Sequence, residues 1–415
     1  MAIVSPFRAV RPTPEFAAKV AAPPYDVVSL EEARDLTKGN PHSFLRVSRA
    51  ELEFASEIDS YSSTVYKRGA DNLQSLINNG ILTHEEHPLL GVYRQQWGTH
   101  QQTGLVALAS VDEYDRGIIK KHELTRPVKE ADRVRIIQTH ESQSGPVLLF
   151  FRRPETFNHW LEWVTNTPPD SHFIAADGIE HTVWSVRDQS AIHRVMKDFQ
   201  AIETMYIADG HHRSAAASRV RAARRNSSAL TSDTHEEGFL AVIFPHDDLK
   251  ILPYNRVVRD LNGLTANQFI EAVASHFELQ LTSQPGDPPS AGFDMYIKGQ
   301  WHRATPTKDL SSEINLDPIR SLAISVLTEL VLDPLLGIVD QRSDPRIDFV
   351  GGVRGVEKLA EMVDQGNWSV AFWLYPTTVD ELMAVSDANR IMPPKSTWFE
   401  PKLRDGLFIH MLRDT

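Results

Sequence analysis

Within one short stretch, Asp209-Gly210-His211-His212-Arg213-Ser214, the chain sets an acid, two imidazoles, a guanidinium and a hydroxyl around a glycine. Ahead of it, Glu203-Thr204-Met205-Tyr206-Ile207 is short, apolar and β-branched enough to form a strand. Behind it, Ser214–Arg221 has strongly helix-forming composition. A strand, a tight turn at Gly210 and a helix therefore meet at these groups. The free N–H groups of a helix start and the positive end of its dipole make a ready phosphate site. Arg213 adds a bidentate clamp. The plainer alternative is an Asp helix cap, a glycine turn and solvated bases, and the two histidines behind the turn favour a site.

A second constellation is Lys120-Lys121-His122-Glu123-Leu124-Thr125-Arg126-Pro127, continuing to Lys129-Glu130 and Asp132-Arg133. Proline is favoured in the first turn of a helix, so a helix is expected from Pro127 toward Glu141. Residues 126, 129/130 and 133 then share a face, and Arg126, Lys129 and Arg133 line one wall of a cleft. Glu123, at the strand-to-helix junction, is placed for a general base; burial raises its pKa and nearby cations lower it. Lys121, His122, Arg126 and Arg133 are the substrate-binding candidates of this segment. An ordinary solvated helix face with ion pairs is the competing reading.

The third is Met392-Pro393-Pro394-Lys395-Ser396-Thr397-Trp398-Phe399-Glu400-Pro401-Lys402. Lys395-Ser396 echoes the end of a phosphate-binding loop, but the glycine that loop needs ahead of the lysine is absent, and two prolines forbid its geometry. Lys395, Ser396 and Thr397 form a rigid loop that could contact an anion, or a simple turn before the last strand. His211 and His212, adjacent on a helix, point about 100° apart and cannot readily chelate one ion. Positions 215 and 216 are alanines, so no H-E-x-x-H zinc site follows. Mg²⁺ arriving with a nucleotide, held by Asp209 or Glu123, suits these residues better.

The elements that must position these groups fall into an α+β pattern with mixed β-sheets. The first 45 residues are proline-punctuated and expected to wrap a scaffold, with one short helix near Ser29–Thr37. An amphipathic helix is predicted over Ser63–Asn79. Strands are predicted at Leu89–Gln96, Thr103–Val111, Gly117–His122, Pro146–Phe151, His172–Ala175 and His181–Val186. A helix near Ser190–Phe199 leads back to the hexapeptide. Asn226–Glu237 reads as an exposed loop, and Gly238–Phe244 with Lys250–Val258 as a hairpin. Helices are predicted near Thr265–His276, Pro318–Leu332 and Val356–Gln365. The chain divides near residue 250 into a nucleotide-binding region (1–250) and a C-terminal α+β region (251–415).

Composition narrows the function. The 415 residues carry no cysteine, which excludes disulfides, thiolate metal sites, iron–sulfur clusters and cysteine nucleophiles. A net charge of −12 argues against a nucleic-acid coat or a binder of anionic membranes. No run approaches the roughly 20 apolar residues of a membrane span, and the N-terminus lacks a secretory pattern. A soluble cytoplasmic protein acting on small molecules is expected, with its oligomeric state open.

The chain resembles a bacterial and archaeal family, domain of unknown function family 1015. The resemblance is carried by Pro6-Phe7-Arg8-Ala9, Ala22-Pro23-Pro24-Tyr25-Asp26-Val27, Lys121–Pro127, the hexapeptide Ala208-Asp209-Gly210-His211-His212-Arg213, Pro253-Tyr254-Asn255-Arg256-Val257-Val258 and Pro394–Phe399. The Asp209–Arg213 block in turn is similar to the nucleotide-phosphate motif of the ParB/sulfiredoxin-like superfamily, which includes kinases of free L-serine with a glutamate base. That resemblance implies a ParB/sulfiredoxin-like core, and implies that Asp209 through Ser214 hold phosphates and metal. It makes Glu123 the base, with Glu203 as a rival and with Asp209, His211 and His212 beside it in the catalytic set. It implies ATP or ADP with Mg²⁺ as cofactors. The sulfiredoxin cysteine is absent, and so is a clear helix-turn-helix, which removes sulfinic-acid repair and DNA segregation. A phosphotransferase acting on a small hydroxyl compound, serine foremost, is the leading expectation. A phosphatase or nucleotide hydrolase using the same cradle, and a nucleotide-sensing regulator, are the alternatives.

Overall fold

A computed structural model describes residues 2–54, 58–226, 235–308, 310 and 317–413. The chain forms two compact units, Met1–Leu249 together with Pro401–Thr415, and Lys250–Glu400. It is a mixed α+β protein with several sheets.

The first unit is built on a nine-stranded sheet. Its order is Ile119–Lys120, Met205–Asp209, Val147–Phe151, Gly238–Pro245, His100–Ser110, Leu90–Trp97, Glu180–Val186 and Ser171–Ile174, with Val4–Ser5 paired beside His100–Ser110. The central strands Val147–Phe151 and Gly238–Pro245 are buried at every position, which is why they read as unbroken apolar runs. Two amphipathic helices, Glu155–Thr165 and Gln189–Gln200, bury Phe157, Trp160, Leu161, Ile192, Val195 and Phe199 in the same core. A third, His211–Asn226, turns Ala215 and Ala217 into that core and Ala216 and Val220 toward Ile137 of the Pro127–His140 helix. Three consecutive small side chains let both neighbours approach closely. A four-stranded sheet gathers Leu82–His84, Ala9–Pro12, Ile409–Met411 and Ser142–Gln143. The chain's last strand is thus an interior one, held between segments hundreds of residues away.

The second unit is an antiparallel sheet ordered Phe277–Leu281, Gln300–Pro306, Phe293–Ile297, Val370–Leu374, Tyr254–Val258 and Ile347–Gly351. Its Val257, Tyr296, Ala371 and Trp373 pack on Leu359 of the Gly355–Asp364 helix.

The expected hairpin between Gly238–Phe244 and Lys250–Val258 does not form. Gly238–Pro245 pairs with His100–Ser110 and Val147–Phe151. Lys250–Leu252 pairs with Trp398–Glu400, and Tyr254–Val258 with Ile347–Gly351 and Val370–Leu374. Pro253, which has no N–H to donate, separates the two short strands. The proline-punctuated start is also more regular than expected, with strands at Val4–Ser5 and Ala9–Pro12. Most of the expected Asn226–Glu237 loop, residues 227–234, lies outside the described residues, and His235–Glu237 is a 3-10 turn. The helix expected from Pro318 begins at Ala323. Helices Glu155–Thr165 and Val379–Asp387 were not expected.

Candidate functional site

The site grows out of two parallel strands. Met205 and Tyr206 pair with Ile119 and Lys120, so the chain leaving each strand arrives at the same edge, one with His122-Glu123 and the other with Asp209-Gly210-His211. On its other side the Met205–Asp209 strand pairs with Val147–Phe151, and its register slips between Ile207 and Asp209. Such an irregularity re-aims a side chain at a strand end. Gly210 then turns the chain at φ +99°, and a Cβ there would lie 3.2 Å from the Val147 backbone. Only glycine takes that turn without strain. The Gly210 carbonyl accepts from Arg213 N at 2.8 Å and Ser214 N at 3.1 Å, which starts the helix at His211.

Two imidazoles and a carboxylate meet at this edge. His122, Glu123 and His211 each direct a ligand atom to within 4.8 Å of the others. The His122 and His211 rings stand edge to face, with centroids 4.5 Å apart. Both are buried, and the His211 Nε2 has no hydrogen-bond partner among the described residues. Burial pushes His122 down to about 4, against a hydrogen bond to the Ile207 backbone that favours its proton. Burial, and next the adjacent His122, push His211 well below the ordinary histidine value. At neutral pH both rings are uncharged. His212 points elsewhere, its Nε2 accepting from the Arg126 backbone N–H at 3.0 Å at the start of the Pro127–His140 helix. The expected divergence of the two neighbouring histidines is what the structure has.

A charged cluster lies on the other side of the turn. Lys402 Nζ donates to Asp209 Oδ2 at 3.0 Å. Desolvation works to raise the Asp209 pKa, but the Lys402 ammonium and the Arg213 guanidinium hold it well below the usual carboxylate range. Arg213 donates to the Pro146 carbonyl at 2.8 Å and lies 3.8 Å from Asp405 Oδ1. Burial opposes its charge, and Asp405, Asp26 and Asp209 around it more than restore it. Asp405 is itself buried, and burial pushes it up to about 6 against the pull of Arg213. Gly145 makes room for this pair: a Cβ there would meet Asp405 Oδ1 at 2.9 Å and Arg213 Nε at 3.2 Å.

Of the three residues expected to share a cleft wall, Lys129 and Arg133 line one cavity and Arg126 does not. Arg133 stacks 3.5 Å over the Tyr25 ring while pairing with Asp132, and Lys129 and Arg213 approach the same ring at 5.9 Å. Tyr25, Tyr61, Lys129, Asp132 and Arg133 line a cavity of about 140 Å³. A neighbouring pocket runs past Arg133, Ser144, Gly145, Arg213 and Asp405. Not every expected residue faces these spaces. Ser214 is fully buried and its hydroxyl donates to the His211 carbonyl at 3.1 Å, so it serves the helix. The Lys121 ammonium sits 3.9 Å over the Tyr114 ring, and Arg126 is exposed at the helix start. Lys395, Ser396 and Thr397 belong to the second unit. There Lys395 lies 5.1 Å from the Tyr254 ring centroid and Ser396 Oγ donates to the Pro393 carbonyl at 2.6 Å.

Three contributors escaped the motif reading: Tyr25, Lys402 and Asp405. Tyr25-Asp26 stands in a segment already conspicuous for its prolines, which was one available signal. Lys402 ends the third constellation without a role there and Asp405 lies beyond it, because only the folded chain shows that residues after 400 return to the first unit.

A mixed α+β protein with an imidazole–carboxylate cluster and a half-buried arginine at one strand-to-helix turn is the class that this fold and site define. The chain belongs to the family described as "Protein of unknown function (DUF1015)", whose model matches residues 4–325. No curated protein matches it. Among solved structures it is similar to a free serine kinase in complex with AMP, at 13% identity, with 73% of this chain and 91% of that one covered and a TM-score of 0.36. A conserved hypothetical protein from Pyrococcus furiosus gives 15% identity, coverages of 74% and 95% and a TM-score of 0.35. SbnI with a C-terminal truncation, from Staphylococcus aureus, gives 12% identity, coverages of 72% and 85% and a TM-score of 0.38. The functional reading rests on the site's own residues.

Proposed function

We propose that the protein is a nucleotide-dependent phosphotransferase that moves a phosphoryl group from ATP or ADP to a small hydroxyl compound, free L-serine foremost. The observation that carries this reading is the approach of Glu123 to His211, at the first residue of the helix that also bears Arg213. Phosphoryl transfer asks little of a protein beyond an anion cradle, charge neutralisation and a base beside the acceptor hydroxyl.

The residues fit a nucleotide phosphate. The glycine turn leaves no Cβ over the strand end, a 16-residue helix starts there with its positive dipole end at the turn, and Arg213 stands in its first turn. In this reading Gly210, His211, His212 and Arg213 hold the phosphates, within the ParB/sulfiredoxin-like core that the motif implies. Mg²⁺ arriving with the nucleotide would be held through Asp209, or through Glu123 where another carboxylate is the base, and would neutralise phosphate charge. Glu123 takes the proton of the acceptor hydroxyl as its oxygen attacks phosphorus. Arg133 and Lys129 offer cations to a substrate carboxylate in the cleft beside Tyr25. Within the second unit, the Lys395–Thr397 loop stays a candidate anion contact of its own.

One observation favours a second assignment of the base. Asp405 is buried, pushed up to about 6 and in reach of Arg213, the profile of a carboxylate poised to exchange protons near neutrality. The test is incubation of the purified protein with Mg²⁺, ATP or ADP and a panel of hydroxy amino acids, followed by detection of the phosphorylated acceptor. Phosphoserine formation supports the kinase. Phosphate release without acceptor would instead make it a hydrolase, and nucleotide binding without turnover a regulator.

A further inference from the structure

We infer that His122, Glu123 and His211 form a binding site for a divalent transition-metal ion of the zinc class, distinct from any Mg²⁺ carried by a nucleotide. The ligand atoms of these three residues lie within 4.8 Å of one another. Around a tetrahedral ion with bonds of about 2.1 Å, ligand atoms stand about 3.4 Å apart. Closing the gap takes roughly an ångström, which small χ rotations supply. Two imidazole nitrogens and one carboxylate oxygen are the donors of catalytic zinc sites that keep a fourth position for water or substrate. Mg²⁺ prefers an all-oxygen shell, so a set with two nitrogens selects against it.

An independent observation separates this cluster from a chance meeting of polar side chains. His211 is only 6% exposed, and its Nε2 has no hydrogen-bond partner among the described residues. A buried imidazole nitrogen without a partner costs free energy that a bound ion would return. His122 is also oriented as metal-ligating histidines are, with a hydrogen bond from the ring to the Ile207 backbone fixing its plane. The other candidates near the turn are engaged: Asp209 with Lys402 at 3.0 Å, and His212 with the Arg126 backbone at 3.0 Å. The histidine pair absent from the helix spacing is thus supplied by a second strand, 89 positions earlier in the chain for His122.

This inference stands apart from the phosphotransfer reading, because metal uptake is measured without nucleotide. The two meet in one consequence. A Glu123 carboxylate bound to an ion no longer serves as a base, so an occupied site suppresses any phosphoryl transfer that uses Glu123.

The experiment takes the untagged full-length protein, strips it with a chelator and titrates it with Zn²⁺ by calorimetry, and with Co²⁺ while recording the visible spectrum. One equivalent of Zn²⁺ is expected, together with d–d bands for Co²⁺, both persisting in millimolar Mg²⁺. Glu123→Gln and His211→Ala should each weaken Zn²⁺ binding by at least about tenfold. Circular dichroism reports whether each variant is folded, and half-buried Glu123 is the safer of the two positions. Absence of a stoichiometric site, Co²⁺ spectra of a fully hydrated ion, or Zn²⁺ affinity unchanged in folded Glu123→Gln would each overturn the assignment. The trio would then be an ordinary carboxylate–imidazole hydrogen-bond cluster.

Discussion

Asp405 and Arg213 face each other at 3.8 Å, a buried carboxylate against the guanidinium of the glycine-turn helix, although 192 positions separate them. Asp26 and Asp209 share that guanidinium, and Arg133 and Arg404 share that carboxylate. The arginine is therefore a structural ion as well as a candidate phosphate ligand, and its replacement has two separable effects.

Arg213→Ala should weaken ATP or ADP binding by about 1.5–3 kcal/mol, the scale of a charge-assisted hydrogen bond. The sequence alone suggests that folding would be little affected. The structure revises this, because the change strands Asp405 and should cost about 3 kcal/mol of stability. Calorimetric nucleotide titration and urea unfolding measure the two effects. Unchanged nucleotide affinity in the folded variant removes the cradle from the proposal.

The same pair predicts a pH dependence of binding. Asp405 takes up its proton as pH falls through about 6. Below that value Arg213 loses part of its internal counter-charge and has more positive potential for a phosphate. Nucleotide affinity should therefore rise as pH falls from 7 to 5, by up to about tenfold per pH unit. Asp405→Asn should bind tightly across the range, and its profile corrects for titration of the nucleotide itself. Parallel profiles for the two proteins would contradict the linkage.

Glu123→Gln keeps the size of the side chain and removes its basicity. Turnover should fall by about 10²–10⁴-fold, with nucleotide affinity nearly unchanged, since the turn at Gly210 is built separately. Single-turnover kinetics with saturating nucleotide give the answer. Full activity in this variant would pass the role to Asp405, where Asp405→Asn repeats the test.

Acid should destabilise the fold through its buried histidines. Burial is the leading cause that holds His140 at about 4, His181 at about 3 and His410 at about 4. Their folded pKa values lie below the unfolded 6.5, so the unfolded chain binds more protons between those limits. Stability is then fully present above about 6.5 and lost as pH falls toward 4, by roughly 3 kcal/mol for each histidine. Asp405 works the other way, because its raised pKa relieves the fold as pH drops through 6. Three imidazoles outweigh one carboxyl. Thermal unfolding between pH 8 and pH 4 should show the midpoint falling below pH 6.5, and a flat profile would refute the balance.

Much of this is legible in the sequence. Pro127 opens its helix as a first-turn proline should, and Ser29 with Glu32 forms a capping box at the Leu30–Thr37 helix. The strand before Gly210 and the helix after it follow from apolar run, glycine and alanine-rich stretch. What stayed hidden was long-range. Pro253 marks a local break in Lys250–Val258, but nothing local says which distant strands its two halves join, since several pairings satisfy the same apolar pattern. The Val379–Asp387 helix did carry its own signal, a capping box of Thr378 and Glu381 ahead of Leu382 and Met383, which went unread. The trio of His122, Glu123 and His211 needs the parallel register of two strands, and sequence spacing does not encode that register.

The way the first unit is split along the chain sets a clock on its assembly. Asp209 and its partner Lys402 lie 193 positions apart, with all of the second unit between them in sequence. At ordinary rates of protein synthesis the ammonium emerges roughly 10–40 s after the carboxylate it neutralises. During that interval the strand, the glycine turn and the helix are already made, while Asp209 still waits for Lys402 and Arg213 for Asp405. The nascent chain thus carries an unfinished site, and ribosome-bound intermediates should gain resistance to proteolysis around Gly210 only when residues beyond 400 have left the exit tunnel.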